Sequence, residues 1–148
     1  MTTFNNYRPI EILLVEDNPG DVRLTQEAAR ETKIHNNMHV VTNGLDAMAF
    51  LHHEGRFSAV PRPDLILLDL NMPVMDGREV LRQVKSDEKT RRIPVVIITS
   101  SQAEEDILRA YDLQASCYVT KPVDLVQFIK VVKNVENFWL TVVTLPRE

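Results

Sequence analysis

Three short runs constrain this chain most: Ile12–Val15, Leu65–Leu68 and Val95–Ile98 are each four consecutive apolar residues. A strand with one wet face alternates apolar and polar residues, and these do not. Their pattern belongs to strands buried on both faces, as in a parallel sheet covered by helices. Each run then ends abruptly in polar residues: Glu16-Asp17, Asp69 and Thr99. Two weaker runs, "MHVVTNG" and "SCYVTKP", have the same character.

Between the runs lie segments of helical period. "NPGDVRLTQEAARET" places Val22, Thr25, Ala28 and Ala29 on one face, with Asn18 or Gly20 as cap and Pro19 suited to a helix start. "GLDAMAFLHHEG" predicts a helix closing on Gly55, and "DGREVLRQVKSD" sets Val80, Leu81 and Val84 on one face. "AEEDILRAYDL" and "VDLVQFIKVVKNVENFWL" supply two more, the first read as a solvated acidic face. Strand and helix alternate five times. Parallel strands need crossover connections, so the fold class is α/β: a five-stranded parallel sheet, doubly wound and flavodoxin-like, with an apolar C-terminal extension.

At 148 residues the chain suits one domain with a substantial core. A net charge of −4 and a pI near 5.6 argue against a nucleic-acid surface. No apolar stretch reaches the length of a membrane span, and the start lacks the apolar centre of a signal peptide. The single cysteine, Cys117, excludes an internal disulfide framework, so a cytoplasmic protein is the expectation.

In a parallel sheet the carboxyl ends of the strands share one edge, which is where open α/β folds keep their chemistry. That edge should gather Glu16, Asp17, Asp69, Thr99 and Lys121. Three converging carboxylates repel one another and need a cation. Hard oxygen ligands without a dedicated cage suit magnesium, which keeps waters and accepts a phosphate oxygen. A carboxylate nucleophile, a hydroxyl at Thr99 and an ammonium at Lys121 complete a phosphoryl-transfer set, with Asp69 attacking phosphorus.

The acidic pair of "LLVEDN", then "LILLDLNMPVMDG", "VVIITSS" and "YVTKP" resemble, in order, the motifs of response regulator receiver domains. The spacings agree as well: 99 − 69 = 30 and 121 − 99 = 22. The resemblance implies that Asp69 is the phosphoacceptor and that Mg2+ or Mn2+ is held by Asp17, Asp69 and the Asn71 carbonyl, with Glu16 acting through water. It implies Thr99 as switch hydroxyl, Lys121 as phosphate-binding lysine, and a cis bond before Pro122. Tyr118 falls where the family has an aromatic that swings inward, though a buried strand tyrosine accounts for it equally. Glu16 replaces a commoner Asp, and Ser100 stands where a smaller residue is usual.

A receiver domain over 8–137 leaves 138–148 as the extension. The last helix has a core face of Leu125, Phe128, Ile129, Val132 and Val135. Val126 and Val131 fall off that stripe and, with Phe138, Trp139 and Leu140, predict uncovered apolar surface and a homodimer, the alternative being a tail folded back over its own domain. No output motif follows, which predicts a stand-alone receiver. The tail "NFWLTVVTLP", with "VPRPDLILLDLN" and "GREVL", resembles the small response regulators partnered with cyanobacterial phytochromes. That implies a histidine kinase donor docking near Val22, Arg23 and the Pro122-Val123 loop. Two rival readings remain. An aspartyl-phosphate hydrolase would want a second acid two residues after the nucleophile, where Asn71 stands. A phosphorylation-independent docking scaffold would not need the full site.

Overall fold

The apolar runs form the strands of a single sheet. In the computed structural model, which describes residues 9–72, 75–109 and 114–142 (109 and 135–142 for backbone only), five strands alternate with five helices. They are β1 (Ile10–Val15), α1 (Pro19–Glu31), β2 (Asn36–Val41), α2 (Gly44–Leu51), β3 (Leu65–Asp69), α3 (Gly77–Ser86), β4 (Val95–Thr99), α4 (Gln102–Arg109), β5 (Cys117–Thr120) and α5 (Leu125–Val142). A short 3-10 turn, Gly55–Phe57, precedes β3. All pairings are parallel, in the order β2-β1-β3-β4-β5. The doubly wound expectation therefore holds.

Strand geometry explains the uninterrupted runs. Successive side chains point to opposite faces, so Leu13 and Val15 enter one core while Ile12 and Leu14 enter the other. The first core is closed by α2, α3 and α4 through residues such as Phe50, Val80, Val84 and Leu108. The second is closed by α1 and α5 through Ala28, Ala29, Phe128, Val131 and Val132. With helices over both faces, a polar residue mid-strand would have no water to meet.

Helix starts follow their caps. Asn18 accepts the Asp21 N–H at 3.0 Å, Asn43 that of Asp46 at 2.8 Å, and Asp76 those of Arg78 and Glu79 at 2.8 and 3.1 Å. Asn18 rather than Gly20 is thus the cap of α1. The second helix stops earlier than its sequence suggests. It ends at Leu51, because His53 takes a φ of +58° and Gly55 one of +56°, outside the helical region.

Among the described side chains of α5 the buried stripe is Phe128, Val131 and Val132. The expectation that Val131 lies uncovered is overturned, since it is 1% exposed. α5 crosses the sheet so that Phe128 and the residues three and four after it face α1 and the strands, while Leu125 and Ile129 sit half-buried at the margin. Val126 does remain open, at 74%. Val123 is buried among the second core, which leaves Pro122 as the exposed member of that loop. The side chains of Val135, Phe138, Trp139 and Leu140 lie outside the described residues, as do Pro73 and 143–148. The backbone of α5 runs unbroken past 137 to Val142. Among the described residues no helix is long and apolar enough to cross a membrane.

Candidate functional site

Strand register assembles the site. Val15 pairs with Leu68, so the next residue of β1, Glu16, comes alongside Asp69. Asp69 pairs with Ile98, one short of Thr99, and Thr99 pairs with Thr120, one short of Lys121. Residues up to 105 positions apart thereby meet at the point where strand order turns from β2-β1 to β3, the crevice that doubly wound sheets use for ligands.

The Lys121 ammonium is the hub. Its Nζ lies 3.1 Å from Asp69 Oδ2, 3.1 Å from Glu16 Oε1 and 3.0 Å from Asp21 Oδ2. Burial alone would lower the lysine's pKa, but hydrogen bonding to Asp21 and the charges of Asp69 and Glu16 raise it above the usual value. Lys121 is therefore charged across the physiological range. The Lys121-Pro122 peptide bond is cis, as the family resemblance implies.

Glu16 and Asp69 are nearly closed off, at 1% and 4% exposure, while Asp17 faces solvent. Burial, and then the charge of Asp69, push the Glu16 carboxyl up to about 7, against the opposing Asn18 N–H and Lys121. One oxygen from each of Glu16, Asp17 and Asp69 lies within 4.8 Å of the others. Hard oxygen donors, one carboxylate open to water and an excess of negative charge suit a divalent cation that keeps part of its hydration shell. Lys121 by itself leaves four nearby acids underneutralised.

Asp69 Oδ1 accepts the Asn71 N–H at 2.9 Å. That bond holds the backbone of Asn71 against the Asp69 carboxylate. Gly77 makes that turn feasible. Its N–H donates to the Leu70 carbonyl at 3.0 Å, and a Cβ there would lie 2.4 Å from Leu70 Cα and 2.6 Å from the Asp69 carbonyl oxygen.

Thr99 is fully buried, and its hydroxyl donates toward the Ser101 and Val119 carbonyls, 3.3 Å from each, rather than toward Asp69. Tyr118 is half-buried against the first core, with its hydroxyl 3.4 Å from the Leu108 carbonyl of α4. Two acids absent from the sequence-based set belong to this neighbourhood. Asp21, in the first turn of α1, reads in sequence as a helix-start acid, yet holds Lys121 across 100 positions. Glu104 reads as part of a solvated face, yet its carboxylate accepts the Ser100 N–H at 2.8 Å and the Asn71 side-chain amide at 3.0 Å. Those contacts, led by the Ser100 N–H, hold its carboxyl below the usual range. The available signal was Ser101-x-x-Glu104, a helix-start pattern.

A doubly wound parallel sheet with acids, hydroxyl and lysine gathered at its carboxyl edge is the architecture of a response regulator receiver. The response regulator receiver domain family matches residues 12–133, and the chain belongs to that family. More particularly, it is similar to response regulator Rcp1 of Synechocystis sp., with 47% identity over 138 residues, 93% of this chain and 94% of that protein. Among solved structures it resembles the phosphorylated cyanobacterial phytochrome response regulator RcpA (48% identity, TM-score 0.74, covering 94% of this chain and 99% of that one). The Mn(2+)-bound form of Rcp1 is similar at 47% identity, with a TM-score of 0.73 and coverage of 94% and 100%. The bacteriophytochrome response regulator RtBRR overlays with a TM-score of 0.80 at 43% identity, covering 86% of this chain and 78% of that one.

Proposed function

We propose that Asp69 accepts a phosphoryl group from a phosphohistidine of a phytochrome-type histidine kinase, and that the chain signals through the resulting change at Thr99. The observation that carries this is the Lys121 ammonium 3.1 Å from a buried Asp69, inside an acid trio on the switch-point edge. Asp69 attacks phosphorus, the bond from phosphorus to the imidazole nitrogen breaks, and the electron pair leaves with that nitrogen, which takes up a proton. Asp17, Asp69 and the Asn71 carbonyl, with Glu16 acting through water, would hold a magnesium ion, which would neutralise charge on the phosphoryl oxygens. Lys121 releases Glu16 and Asp21 to follow the phosphoryl group. The Thr99 hydroxyl leaves the Ser101 and Val119 carbonyls for it, and Tyr118 follows into the vacated space.

The phytochrome partner rests on likeness to Rcp1, RcpA and RtBRR, and a cytoplasmic location goes with it. No separate turnover substrate is assigned: Asn71 is engaged with Glu104 and cannot act as the general acid a hydrolase would need. The homodimer reading now rests on exposed Val126 together with Phe138, Trp139 and Leu140 of the extension, without Val131. The receiver unit is taken as 8–137.

The test is intact-mass analysis after incubation with magnesium and acetyl phosphate, with Asp69→Asn and a chelator as controls. One added phosphoryl group, absent from both controls, is the expected result. No adduct in the parent would make a phosphorylation-independent docking scaffold the better reading.

A further inference from the structure

We propose that Glu104 is a charged strap across the mouth of the site, a positioning residue that slows the approach of anionic phosphodonors to Asp69. The inference rests on the reading of Asp69 as phosphoacceptor. Ser101 Oγ accepts the Glu104 N–H at 3.1 Å, which already satisfies the start of α4. In the usual reciprocal cap the acid would return to the N–H of that same serine. Here it reaches one residue further, to the Ser100 N–H at 2.8 Å, and its second oxygen crosses to the Asn71 side-chain amide at 3.0 Å. The carboxylate therefore joins two loops that capping does not require it to join.

Those loops flank the reacting group. Asn71 stands two residues after Asp69 and its own N–H is already bonded to Asp69 Oδ1, so Asn71 is gripped at both ends. Ser100 directly follows Thr99. Glu104 thus ties the segment carrying the phosphoacceptor to the segment carrying the switch hydroxyl. It fills the outward donors of both with a negative charge.

A phosphodonor is an anion, and so is the phosphorylated product. Each meets repulsion from Glu104, and each offers oxygens that compete for the Ser100 and Asn71 donors. The strap therefore favours the unphosphorylated arrangement and yields when Asp69 carries phosphate, which frees the first turn of α4. Glu104→Gln keeps the shape and one acceptor oxygen but removes the charge and the second acceptor.

The experiment follows adduct formation over time by intact mass, with magnesium and acetyl phosphate, at low and high ionic strength. It compares the parent, Glu104→Gln and Glu88→Gln, with a thermal melt to show that each is folded. Glu88 is an exposed acid between α3 and β4, at the opposite edge of the sheet, so its variant makes the same change in net charge away from the site. Glu104→Gln is expected to react about three- to tenfold faster than the parent at low salt, the scale of one partly screened unit charge. The parent should gain on it as salt rises, and Glu88→Gln should match the parent. Equal rates for parent and Glu104→Gln at both ionic strengths, or an equal gain in Glu88→Gln, would overturn the strap. No adduct in the parent would instead defeat the assignment of Asp69 itself.

Discussion

Without a divalent cation the protein should lose stability as pH rises from 5 to 8, and Glu16 sets the size of the loss. Its carboxyl is buried beside Asp69, which raises its pKa from 4.5 in the unfolded chain to about 7 in the folded one. Between those values the folded state holds a proton that the unfolded state has released. Protons bound by the unfolded chain are then fewer, so unfolding free energy decreases with pH. At about 1.4 kcal/mol for each tenfold change in proton affinity, and with part already lost below pH 5, that difference corresponds to about 3 kcal/mol lost by pH 8. Lys121, whose pKa is raised, contributes stability that is fully present below its unfolded value and lost only at far higher pH. The lowered carboxyls of Asp87 and Glu104 contribute stability that is lost only as pH falls, below the window concerned. The assay is urea unfolding in chelator at intervals of pH, on the parent and on Glu16→Gln, which mimics the protonated acid. The parent curve should fall and the variant's stay flat across pH 5–8, and magnesium should flatten the parent's. Parallel slopes for parent and variant would refute the assignment of the effect to Glu16.

Three further outcomes follow from the packing. Lys121→Met removes the ammonium from three acids and should cost about 3 kcal/mol at pH 8 in chelator, with a smaller cost at pH 5 where Glu16 is neutral. A pH-independent cost in urea unfolding would contradict that coupling. Gly77→Ala sets a Cβ against backbone atoms of Asp69 and Leu70 that cannot swing aside. About 3 kcal/mol of destabilisation by thermal or urea melt is expected, and a melt like the parent's would show that the turn relaxes freely. Val131→Ala should cost about 2 kcal/mol through lost burial of two methyls, whereas Val126→Ala should stay within about 0.5 kcal/mol in the monomer. If the two unfold alike, the placement of α5 is wrong.

Much of this molecule is legible before any coordinate is known, for a local reason. Whether a strand is wet on one face or neither is recorded in its own few residues, so Ile12–Val15 and Leu65–Leu68 announce a covered parallel sheet. The cap at Asn18 acts on an N–H three residues on, so it too is a local signal, although the sequence offers Gly20 beside it. Given a parallel sheet, the polar ends of the runs must share an edge. Glu16, Asp69, Thr99 and Lys121 could therefore be grouped from chain order alone.

What the linear pattern could not decide depends on angles and distances between elements. Val131 falls off the stripe drawn through Leu125 and Ile129, yet α5 is rolled against the sheet so that its Phe128–Val131 side turns inward and buries it. Asp21 and Glu104 look like ordinary first-turn acids, whose role near a helix N-terminus is local. Only packing α1 and α4 against the sheet carries one to Lys121 and the other to Asn71. The pairing of β4 with β5, and the turn that follows Thr99, set its hydroxyl against the Val119 and Ser101 carbonyls rather than Asp69. Residue types and their order determined which groups reach the carboxyl edge, because strand direction and period are properties of short segments. The pairing of those groups across the edge came from the tertiary structure, because hydrogen bonds and burial are settled within a few ångströms that no spacing in sequence specifies.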